Sequence, residues 1–394
     1  MRVNVITKEY PPEIYGGAGV HVAELVSALR SHIDVQVSCF GKTRDESETV
    51  AYSAPSEFSD SNATISTLAT NLAMVEPAQG SDVVHSHTWY ANAAGHLASL
   101  LHGIPHVITA HSLEPLRPWK AEQLGGGYRV SSWIEKSAYE GAAAIIAVSD
   151  GMRADILRSY PEVNPDKVVT IHNGIDLEAW TRNVDHDVAH SLGIDPERPT
   201  VIFVGRITRQ KGLPYLLAAC EKLPSDVQIV LCAGAPDTPE IMAEVTSAVD
   251  SLREQRDGVV WIDRMLSRAE LTVALSVSDV FVCPSIYEPL GIVNLEAMSC
   301  GVAVVGTATG GIPEVVVDGV TGRLVPIEQV TDGTGTPVNP EQYVSDLARI
   351  LTEVVTDPEL CERYGRAGRE RAEQHFTWSA IAEKTLALYQ RITA

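Results

Sequence analysis

Two glutamates, Glu288 and Glu296, lie where the pattern of an apolar strand changes to that of an apolar helix. Glu288 falls in the turn and Glu296 follows about two helical turns later, so both carboxylates can face one pocket above a sheet. Carboxylates accept hydrogen bonds from hydroxyl groups, and burying an unpaired one is costly. The pair therefore suits a ligand with a sugar at one end and a ribose at the other. The alternative, a helix-start anion and a solvated glutamate, fits poorly because Leu295, Ala297 and Met298 flank Glu296.

Two cations, Arg206 and Lys211, follow the apolar strand pattern of residues 201–205 and precede a helix. Cationic side chains at the head of a helix can hold the phosphates of a nucleotide diphosphate through charge-assisted hydrogen bonds, together with the helix dipole. In that role they would stabilise the negative charge of a departing diphosphate. The alternative is a solvated loop with ordinary surface cations.

Three glycines, Gly16, Gly17 and Gly19, lie between the first strand and the first helix. Backbone N–H groups at such a turn can approach a phosphate closely. Gly17-x-Gly19 could open a dinucleotide fingerprint, but Val22 occupies the third small position, which disfavours a nicotinamide site. A purely structural glycine turn is the alternative.

Histidines and aspartates complete the set of candidates. His111 closes a strand, where it could hydrogen-bond a ligand or be a satisfied histidine at the edge of the core. His85 and His87 share one face of a strand, but no carboxylate or cysteine completes a metal set, so we interpret them as structural or acceptor-side residues. Asp185 and Asp187 have the spacing of a metal-binding pair but lie in a polar stretch, and we interpret them as solvated charges. The sequence thus predicts no metal site.

Short runs rich in Val and Ile alternate with helical segments along the whole chain, which predicts β-α-β units and parallel sheets. Ligands of such sheets bind outside the carboxyl ends of the strands, where the residues above lie. The strands are predicted at residues 3–7, 35–40, 83–87, 106–111, 144–149 and 167–172 in the first half, and at 201–205, 228–233, 259–262, 280–285 and 302–307 in the second.

This pattern occurs twice along the chain, which predicts an α/β protein with two Rossmann-like, doubly wound domains facing a cleft. We expect the first domain at residues 1–180 and the second at residues 200–375, joined by a polar linker at residues 181–199. Residues 376–394 carry a helical apolar stripe and are expected to pack back on the first domain.

Composition excludes several classes of protein. The 394 residues suit two domains, since a single core stops growing at about 250 to 300 residues. Lys and Arg number 30 against 51 Asp and Glu, and the net charge of −21 disfavours nucleic acids and anionic membranes as partners. The cysteines stand singly without a C-x-x-C pair, and we find no secretory leader or long apolar run, so the cytoplasm is the expected compartment.

Taken together, these residues resemble the retaining glycosyltransferases of the GT-B fold over essentially the whole chain. Arg206 and Lys211 match the R-x4-K motif, the segment from Glu288 to Glu296 matches E-x7-E, and Gly16 and His111 fall at the glycine loop and the first-domain histidine of that family. The opening, residues 8–22, is similar to actinobacterial glycogen synthases, which resemble enzymes that make maltose 1-phosphate from ADP-glucose and glucose 1-phosphate. The K-x-G-G-L loop of other bacterial glycogen synthases is not present there, which disfavours a long-glucan acceptor.

The resemblance implies transfer of glucose, with retention of configuration and without metal or cofactor, from ADP-glucose to glucose 1-phosphate or to the non-reducing end of glycogen. Arg206 and Lys211 would hold the diphosphate, assisted by the amide of Gly17. The leaving phosphate can itself deprotonate the acceptor on the same face, so no dedicated base is required. Domain closure would exclude water and protect the donor from hydrolysis.

The resemblance also divides the sugar contacts among named residues. Glu288 would bind donor-sugar hydroxyls, and Glu296 would take the ribose hydroxyls. His111 would contact the donor sugar near C6 or stabilise positive charge at the anomeric carbon through its carbonyl group. The backbone N–H groups near the donor would be those of Leu290, Gly291 and Ile292.

A cluster of cations on the predicted first domain points to the acceptor. Arg117 and Lys120 follow the strand that ends at His111, and Arg129 begins the next helix. A neutral glucan needs no such cations, whereas an acceptor phosphate does. The alternative is a solvated patch of a loop.

Other functions remain open at this stage. One keeps the fold and changes the acceptor to an inositol phosphate or a lipid-linked sugar, of which the acidic balance disfavours the lipid version. Another is a catalytically inactive regulatory protein that binds a nucleotide sugar. The expected partners are therefore a nucleotide sugar and a sugar-phosphate or glucan acceptor, and self-association into a homodimer is compatible with each alternative.

Overall fold

The computed structural model describes residues 1–117 and 124–394 and divides them into two compact units. The first unit comprises Met1–Gly174 together with Trp378–Ala394, and the second comprises Ile175–Thr377. The last helix of the chain therefore belongs to the unit that the first half of the chain forms.

A parallel sheet forms the centre of the first unit. Its strands are β1 (Arg2–Thr7), β2 (Asp34–Phe40), β3 (Thr49–Tyr52), β4 (Val83–His87), β5 (His106–Ala110), β6 (Ala144–Ala147) and β7 (Val168–Thr170). They lie in the order β3-β2-β1-β4-β5-β6-β7. Strands β4, β5 and β6 are buried along their whole length, as expected for a sheet with helices on both faces.

The second unit repeats this arrangement. Its strands are β8 (Thr200–Arg206), β9 (Gln228–Gly234), β10 (Val259–Ile262), β11 (Val280–Cys283), β12 (Ala303–Thr307) and β13 (Gly322–Val325). They form a parallel sheet in the order β10-β9-β8-β11-β12-β13. In both sheets the order reverses beside the first strand, which is the doubly wound arrangement, so the predicted α/β fold class is confirmed.

Two strands of the structure were not predicted from the sequence. Strands β3 and β13 each have four residues and lie at an edge of their sheet. Their short segments, Thr49–Tyr52 and Gly322–Val325, carry exposed or half-buried positions instead of a continuous apolar run. An edge strand needs less apolar surface than a central one, so the hydrophobic pattern on which the prediction depends is weak there.

Helices cover the faces of both sheets. In the first unit the described helices are Gly17–Arg30, Ala63–Ala73, Trp89–His102, Gly127–Gly141, Asp150–Ser159 and Trp378–Thr393. In the second unit they are His186–Ser191, Leu213–Cys220, Pro239–Gln255, Arg268–Ser276, Ile292–Ser299, Ile312–Val315, Pro340–Val355 and Pro358–His375.

The unit boundary differs from the predicted linker at residues 181–199. That stretch belongs to the second unit and contains the helix His186–Ser191. Asp185 is the N-cap of this helix, because its Oδ1 accepts hydrogen bonds from the backbone N–H groups of Asp187 and Val188 at 3.1 Å. The polar residues that suggested a linker therefore include the capping residue of a helix. The Asp185 carboxylate accepts hydrogen bonds from backbone N–H groups at the start of that helix.

The terminal helix Trp378–Thr393 completes the core of the first unit. Its buried side chains Ile381 and Tyr389 join the same hydrophobic cluster as Val22 and Leu25 of the first helix. Trp378 packs over Gly174, where a Cβ atom would collide with the indole ring. Within the described residues, no helix is long and apolar enough to span a membrane.

Candidate functional site

The centre of the candidate site in the second unit is an ion pair between Lys211 and Glu288. Lys211 Nζ lies 2.6 Å from Glu288 Oε2, and the two side chains are only 21% and 8% exposed. Lys211 lies in the 3-10 turn after β8 and Glu288 in the loop after β11. Because these strands are neighbours at the point where the strand order reverses, loops 77 positions apart in sequence meet at one edge of the sheet.

The charge of Lys211 is stabilised by this neighbourhood. Burial by itself lowers the pKa of Lys211, but the negative charge of Glu288 and the hydrogen bond to it outweigh burial, so the pKa is raised above its usual value. Lys211 is therefore a fixed cation at neutral pH, available to an anionic ligand that can displace Glu288.

The Glu288 loop is held by hydrogen bonds on both sides. The Ser285 hydroxyl donates to Glu288 Oε2 at 3.1 Å, and the Gly311 N–H donates to the Glu288 carbonyl oxygen at 2.9 Å. Gly310 has φ of +54°, and a Cβ atom there would collide with that carbonyl oxygen. Only glycine permits this approach, so the carboxylate is held in place by backbone geometry as well as by Lys211.

Arg206, the other predicted phosphate cation, lies at the end of β8 with its side chain 41% exposed. Its Nη1 atom lies 3.2 Å from Asp237 Oδ1, and its charge acts on Lys211. Asp237 was missed by the sequence analysis, although its position shortly after β9 is the signal that could have found it. Arg206 and Lys211 thus form one cationic edge, of which Arg206 is the accessible part.

Glu296 lies on the helix Ile292–Ser299 and is buried. Burial raises its pKa to about 7, while the charges of Arg268 and Lys211 act in the opposite direction. The influence of Lys211 places Glu296 in the same electrostatic neighbourhood as Glu288. The structure therefore brings together the four residues that the sequence predicted for the donor: Arg206, Lys211, Glu288 and Glu296.

Leu290, Gly291 and Ile292 form the start of this helix, with Gly291 as its N-cap at φ of +89°. The first N–H groups of a helix have no partner within it and carry partial positive charge, which suits an anion or a sugar hydroxyl. Asn294 is fully buried, and neither side-chain polar atom has a hydrogen-bond partner among the described residues. Asn294, which no sequence pattern singled out, adds a polar side chain without a partner among the described residues to the first turn of this helix.

In the first unit, the predicted glycine loop is organised by Glu9, another residue that the sequence analysis did not single out. Its Oε2 atom accepts hydrogen bonds from the backbone N–H groups of Gly16 at 2.8 Å and Tyr15 at 3.0 Å. Gly16 is the N-cap of the helix Gly17–Arg30, and a Cβ atom on Gly19 would collide with Glu9. The loop is thus a tight turn around a carboxylate at the N-terminus of a helix.

His111 belongs to a cluster of histidine rings that the sequence predicted only in part. His87 Nδ1 lies 3.1 Å from His111 Nε2, and His21 meets the His111 ring edge-on with centroids 4.7 Å apart. His85, on the same face of β4 as His87, is hydrogen-bonded through its two nitrogens to Tyr389 at 2.6 Å and Thr109 at 2.7 Å. His21 could not be predicted as part of this cluster, because a single histidine in an amphipathic helix forms no motif with a second histidine nearby in sequence.

Burial keeps this cluster neutral. It lowers the pKa of His21 to about 4 and holds the pKa of His85, His87 and His111 well below its usual value, and repulsion between neighbouring rings acts in the same direction on those three. At neutral pH each ring therefore has one N–H donor and one lone pair.

The predicted acceptor cations lie after β5 and at the next helix. Arg129 is exposed near the start of the helix Gly127–Gly141, and Arg117 Nη1 donates to Ser112 Oγ at 3.1 Å. Lys120 lies outside the described residues. The loop that carries Arg117 is tied to the helix by two buried carboxyl groups: the Glu114 N–H donates to Glu135 Oε1 at 2.8 Å, and the Ser131 hydroxyl donates to Glu114 Oε2 at 2.5 Å.

Comparison with known proteins assigns the family. Residues 15–179 match the model of glycosyltransferase family 4, and residues 186–371 match glycosyl transferases group 1. The chain is 55% identical over 100% of both lengths to an alpha-maltose-1-phosphate synthase of Mycolicibacterium smegmatis. It is 31% identical to a D-inositol 3-phosphate glycosyltransferase of a Mycobacterium species, over 75% of this chain and 68% of that one.

The fold has solved counterparts as well. A sucrose-phosphate synthase from Thermosynechococcus elongatus superposes with a TM-score of 0.80 at 23% identity, over 99% of this chain and 98% of that one. The match covers both sheets. By its two family matches and its full-length relatives, the chain belongs to the GT-B glycosyltransferases.

Proposed function

We propose that this glycosyltransferase moves a glucosyl unit from ADP-glucose to glucose 1-phosphate and forms maltose 1-phosphate with retention of the anomeric configuration. The observation that carries the proposal is the 55% identity, over the full length of both chains, to a protein named alpha-maltose-1-phosphate synthase. Transfer to the non-reducing end of glycogen is a second use of the same donor site that the proposal leaves open.

The second unit supplies the donor site in this proposal. Arg206, being partly exposed, meets the diphosphate first, and Lys211 follows by exchanging its contact with Glu288 for one with phosphate. This exchange frees the Glu288 carboxylate to accept hydrogen bonds from donor-sugar hydroxyls. Glu296 takes the ribose hydroxyls, which replace the hydration that its carboxylate lacks when buried.

The reaction then needs no protein base. The bond between C1 of the glucosyl unit and the diphosphate oxygen breaks, while the 4-hydroxyl oxygen of the acceptor bonds to C1 from the same face. The proton of that hydroxyl passes to the departing phosphate oxygen, and ADP leaves with the electron pair of the broken bond. Arg206 and Lys211 stabilise the charge that develops on the diphosphate, so the proposal requires no divalent metal for this task. In this proposal His111 contacts the donor sugar near C6 or at the anomeric carbon.

Acceptor recognition depends on the cations of the first unit. Arg129 is exposed, and its planar guanidinium suits bidentate contact with a phosphate. In this proposal Arg129, with Arg117 or Lys120, selects glucose 1-phosphate over glucose and glycogen. Arg129→Ala should raise the acceptor KM at least about tenfold, one charge-assisted hydrogen bond being worth about 1.5 to 3 kcal/mol. The loss should be confined to the phosphorylated acceptor.

Arg158→Ala is the matched control for this variant. Arg158 lies on another helix of the same unit, Asp150–Ser159, and its side chain is 68% exposed. Arg158→Ala should leave the acceptor KM unchanged. In the wild type, added salt should raise the KM for glucose 1-phosphate, because salt screens the contact between cation and phosphate. Equal losses with glycogen and glucose 1-phosphate in Arg129→Ala would contradict the assignment.

The experiment that tests the function is a matrix of donors and acceptors. ADP-, UDP- and GDP-glucose are each offered with glucose 1-phosphate, glycogen and inositol phosphate, and kcat/KM is compared. The proposal expects the highest value for ADP-glucose with glucose 1-phosphate. Preference for inositol phosphate would favour the second candidate, which the 31% identity to a D-inositol 3-phosphate glycosyltransferase supports. Absence of both transfer and donor hydrolysis would indicate a regulatory protein that only binds the nucleotide sugar.

A further inference from the structure

The histidine cluster of the first unit brings three ring nitrogens together, and two of the rings, His21 and His87, have no role in the proposed transfer. His21, His87 and His111 each place one ring nitrogen within 4.8 Å of the others. We propose that these three histidines form a binding site for a divalent transition-metal ion, and that an ion bound there inhibits the enzyme. The inhibition rests on the proposed function, whereas the binding does not.

The spacing of the His87 and His111 nitrogens fits two ligands of one ion, and the His21 nitrogen lies within 4.8 Å of both. Two imidazole ligands of a tetrahedral zinc ion, each with its nitrogen at about 2.0 to 2.1 Å from the metal, lie about 3.3 Å from each other. His87 Nδ1 and His111 Nε2 are 3.1 Å apart. This distance serves equally for one hydrogen bond between the rings and for two ligands of a common ion, so binding needs little movement of either ring.

The third ligand, His21, is 2% exposed, and Asn173 is the polar side chain that acts on it. Neither ring nitrogen of His21 makes a hydrogen bond of good geometry within residues 1–117 and 124–394. His87 Nε2 and Asn173 Oδ1 are likewise buried without a partner in that part of the chain. Leaving a buried polar atom without a partner is costly, and a ligand that supplies the partner recovers that cost.

Asn173 supplies the outer contact that a ligating histidine needs. Its side chain is the polar group that acts on His21. With one nitrogen of His21 on the ion, the other carries the proton and can donate it to Asn173 Oδ1. Such outer contacts fix the tautomer and orientation of metal-bound histidines.

The walls of the site are already in place. His85 is not a ligand, because Tyr389 and Thr109 occupy its two nitrogens, and its ring lies 4.3 Å from that of His87. Trp378 packs edge-on against His21 with centroids 5.3 Å apart. The rings are thus held by the sheet and the terminal helix, as a preformed site requires.

The ligand set selects the ion. Three imidazole nitrogens without a carboxylate or thiolate favour Zn²⁺, Co²⁺, Ni²⁺ or Cu²⁺ over Mg²⁺ and Ca²⁺, which prefer oxygen ligands. His111 is only half-buried, so we expect an ion to reach the cluster past this ring and water to complete its coordination. Since an ion would hold the His111 nitrogen that faces His87, it would alter the ring that contacts the donor sugar, and the inhibition should lessen as the donor concentration rises.

Binding is measured first, on the full-length, metal-free protein. Co²⁺ is titrated while its visible absorption is recorded, and Zn²⁺ affinity is obtained by competition with a chromophoric chelator. We expect one tight site with tetrahedral Co²⁺ bands, and at least tenfold weaker Zn²⁺ binding in His21→Gln and in His87→Gln. Zinc X-ray absorption of the wild type should count three imidazoles, a result that does not depend on whether the variants fold.

The chain provides a matched control. His186 and His190 are exposed and lie four positions apart on the helix His186–Ser191, a spacing that can itself hold an ion. The double variant His186→Ala/His190→Ala should keep the tight site and the basal transferase activity. Loss of the tight site in this variant, or its retention in both His21→Gln and His87→Gln, would overturn the proposal.

Activity gives the second readout. Zn²⁺ should inhibit transfer in the wild type, EDTA should restore it, and Mg²⁺ at the same concentration should have no such effect. The residual activity of His21→Gln should be at least tenfold less sensitive to Zn²⁺. Zinc bound by three imidazoles in a protein without transferase activity would contradict the proposed function and leave the site standing. Normal transfer with the three-imidazole site filled would overturn the inhibitory role.

Discussion

Replacing Lys211 with Met should separate the two contributions of the Lys211–Glu288 ion pair, to stability and to turnover. The variant leaves the Glu288 carboxylate, 8% exposed, with the Ser285 hydroxyl at 3.1 Å as its remaining side-chain partner. Removing one partner of a buried ion pair costs about 3 to 5 kcal/mol. Because Lys211 is partly exposed and Ser285 remains, we expect the lower end, about 3 kcal/mol. For a unit of this size that corresponds to a fall in Tm of roughly 6 to 12 °C.

Arg206→Met is the matched control, since Arg206 lies at the end of β8 and also pairs with a carboxylate. Its side chain is 41% exposed, and exposed ion pairs contribute about 0 to 1 kcal/mol, so its Tm should fall by no more than about 4 °C. Turnover should fall at least about tenfold in both variants, as loss of a contact to the departing diphosphate predicts.

Differential scanning calorimetry of the full chain, together with a coupled assay of ADP release, distinguishes these effects. The double variant Lys211→Met/Glu288→Gln should regain much of the lost stability, because it removes the unpaired charge, but should not regain turnover. Equal Tm values for Lys211→Met and Arg206→Met, or a double variant less stable than Lys211→Met, would refute the reasoning.

Three further variants test other parts of the account. The pKa of Glu296 is raised to about 7 in the folded protein, so between pH 4.5 and 7 the folded state binds more protons than the unfolded state. The free energy of unfolding therefore falls as pH rises through this range. Glu296→Gln should remove the fall, which denaturant titrations at several pH values measure. Gly310→Ala should lower turnover and Tm because the added Cβ atom collides with the Glu288 carbonyl oxygen. Gly319→Ala is the control: it has open space around it at φ of +72°, so it should lower the free energy of unfolding by only about 1 to 2 kcal/mol. Similar effects of both variants would contradict the role of Gly310. Tyr389→Phe removes the hydrogen bond to His85 and should destabilise the protein by about 1 kcal/mol in chemical denaturation, with an unchanged m-value.

The sequence predicted most of the donor site because its residues follow strands. Arg206, Lys211 and Glu288 each stand just after an apolar run, and the carboxyl ends of parallel strands meet at one edge of a sheet. Their individual chemistry was therefore readable from position and type. The pairing of Lys211 with Glu288 could not be predicted in the same way. It depends on β8 and β11 being neighbours, which the order of strands in sequence does not specify.

Other features carried no sequence signal of the right kind. His21 lies alone in an amphipathic helix, and only the packing of that helix beside β4 and β5 brings it to His87 and His111. Asp185 was interpreted as solvated charge because a helix of six residues is too short to show periodicity. The cytoplasmic location, the homodimer and the acceptor role of Lys120 and Arg129 stay predictions.

The most direct test of the central claim is to identify the product formed from ADP-glucose and glucose 1-phosphate. Purified protein is incubated with both, ADP release is followed, and the phosphorylated product is characterised by ¹H and ³¹P nuclear magnetic resonance. We expect one ADP released for each disaccharide phosphate formed, with a new α-1,4 linkage and the original phosphate retained. A β linkage, transfer to glycogen alone, or ADP release that yields free glucose with no disaccharide would contradict it.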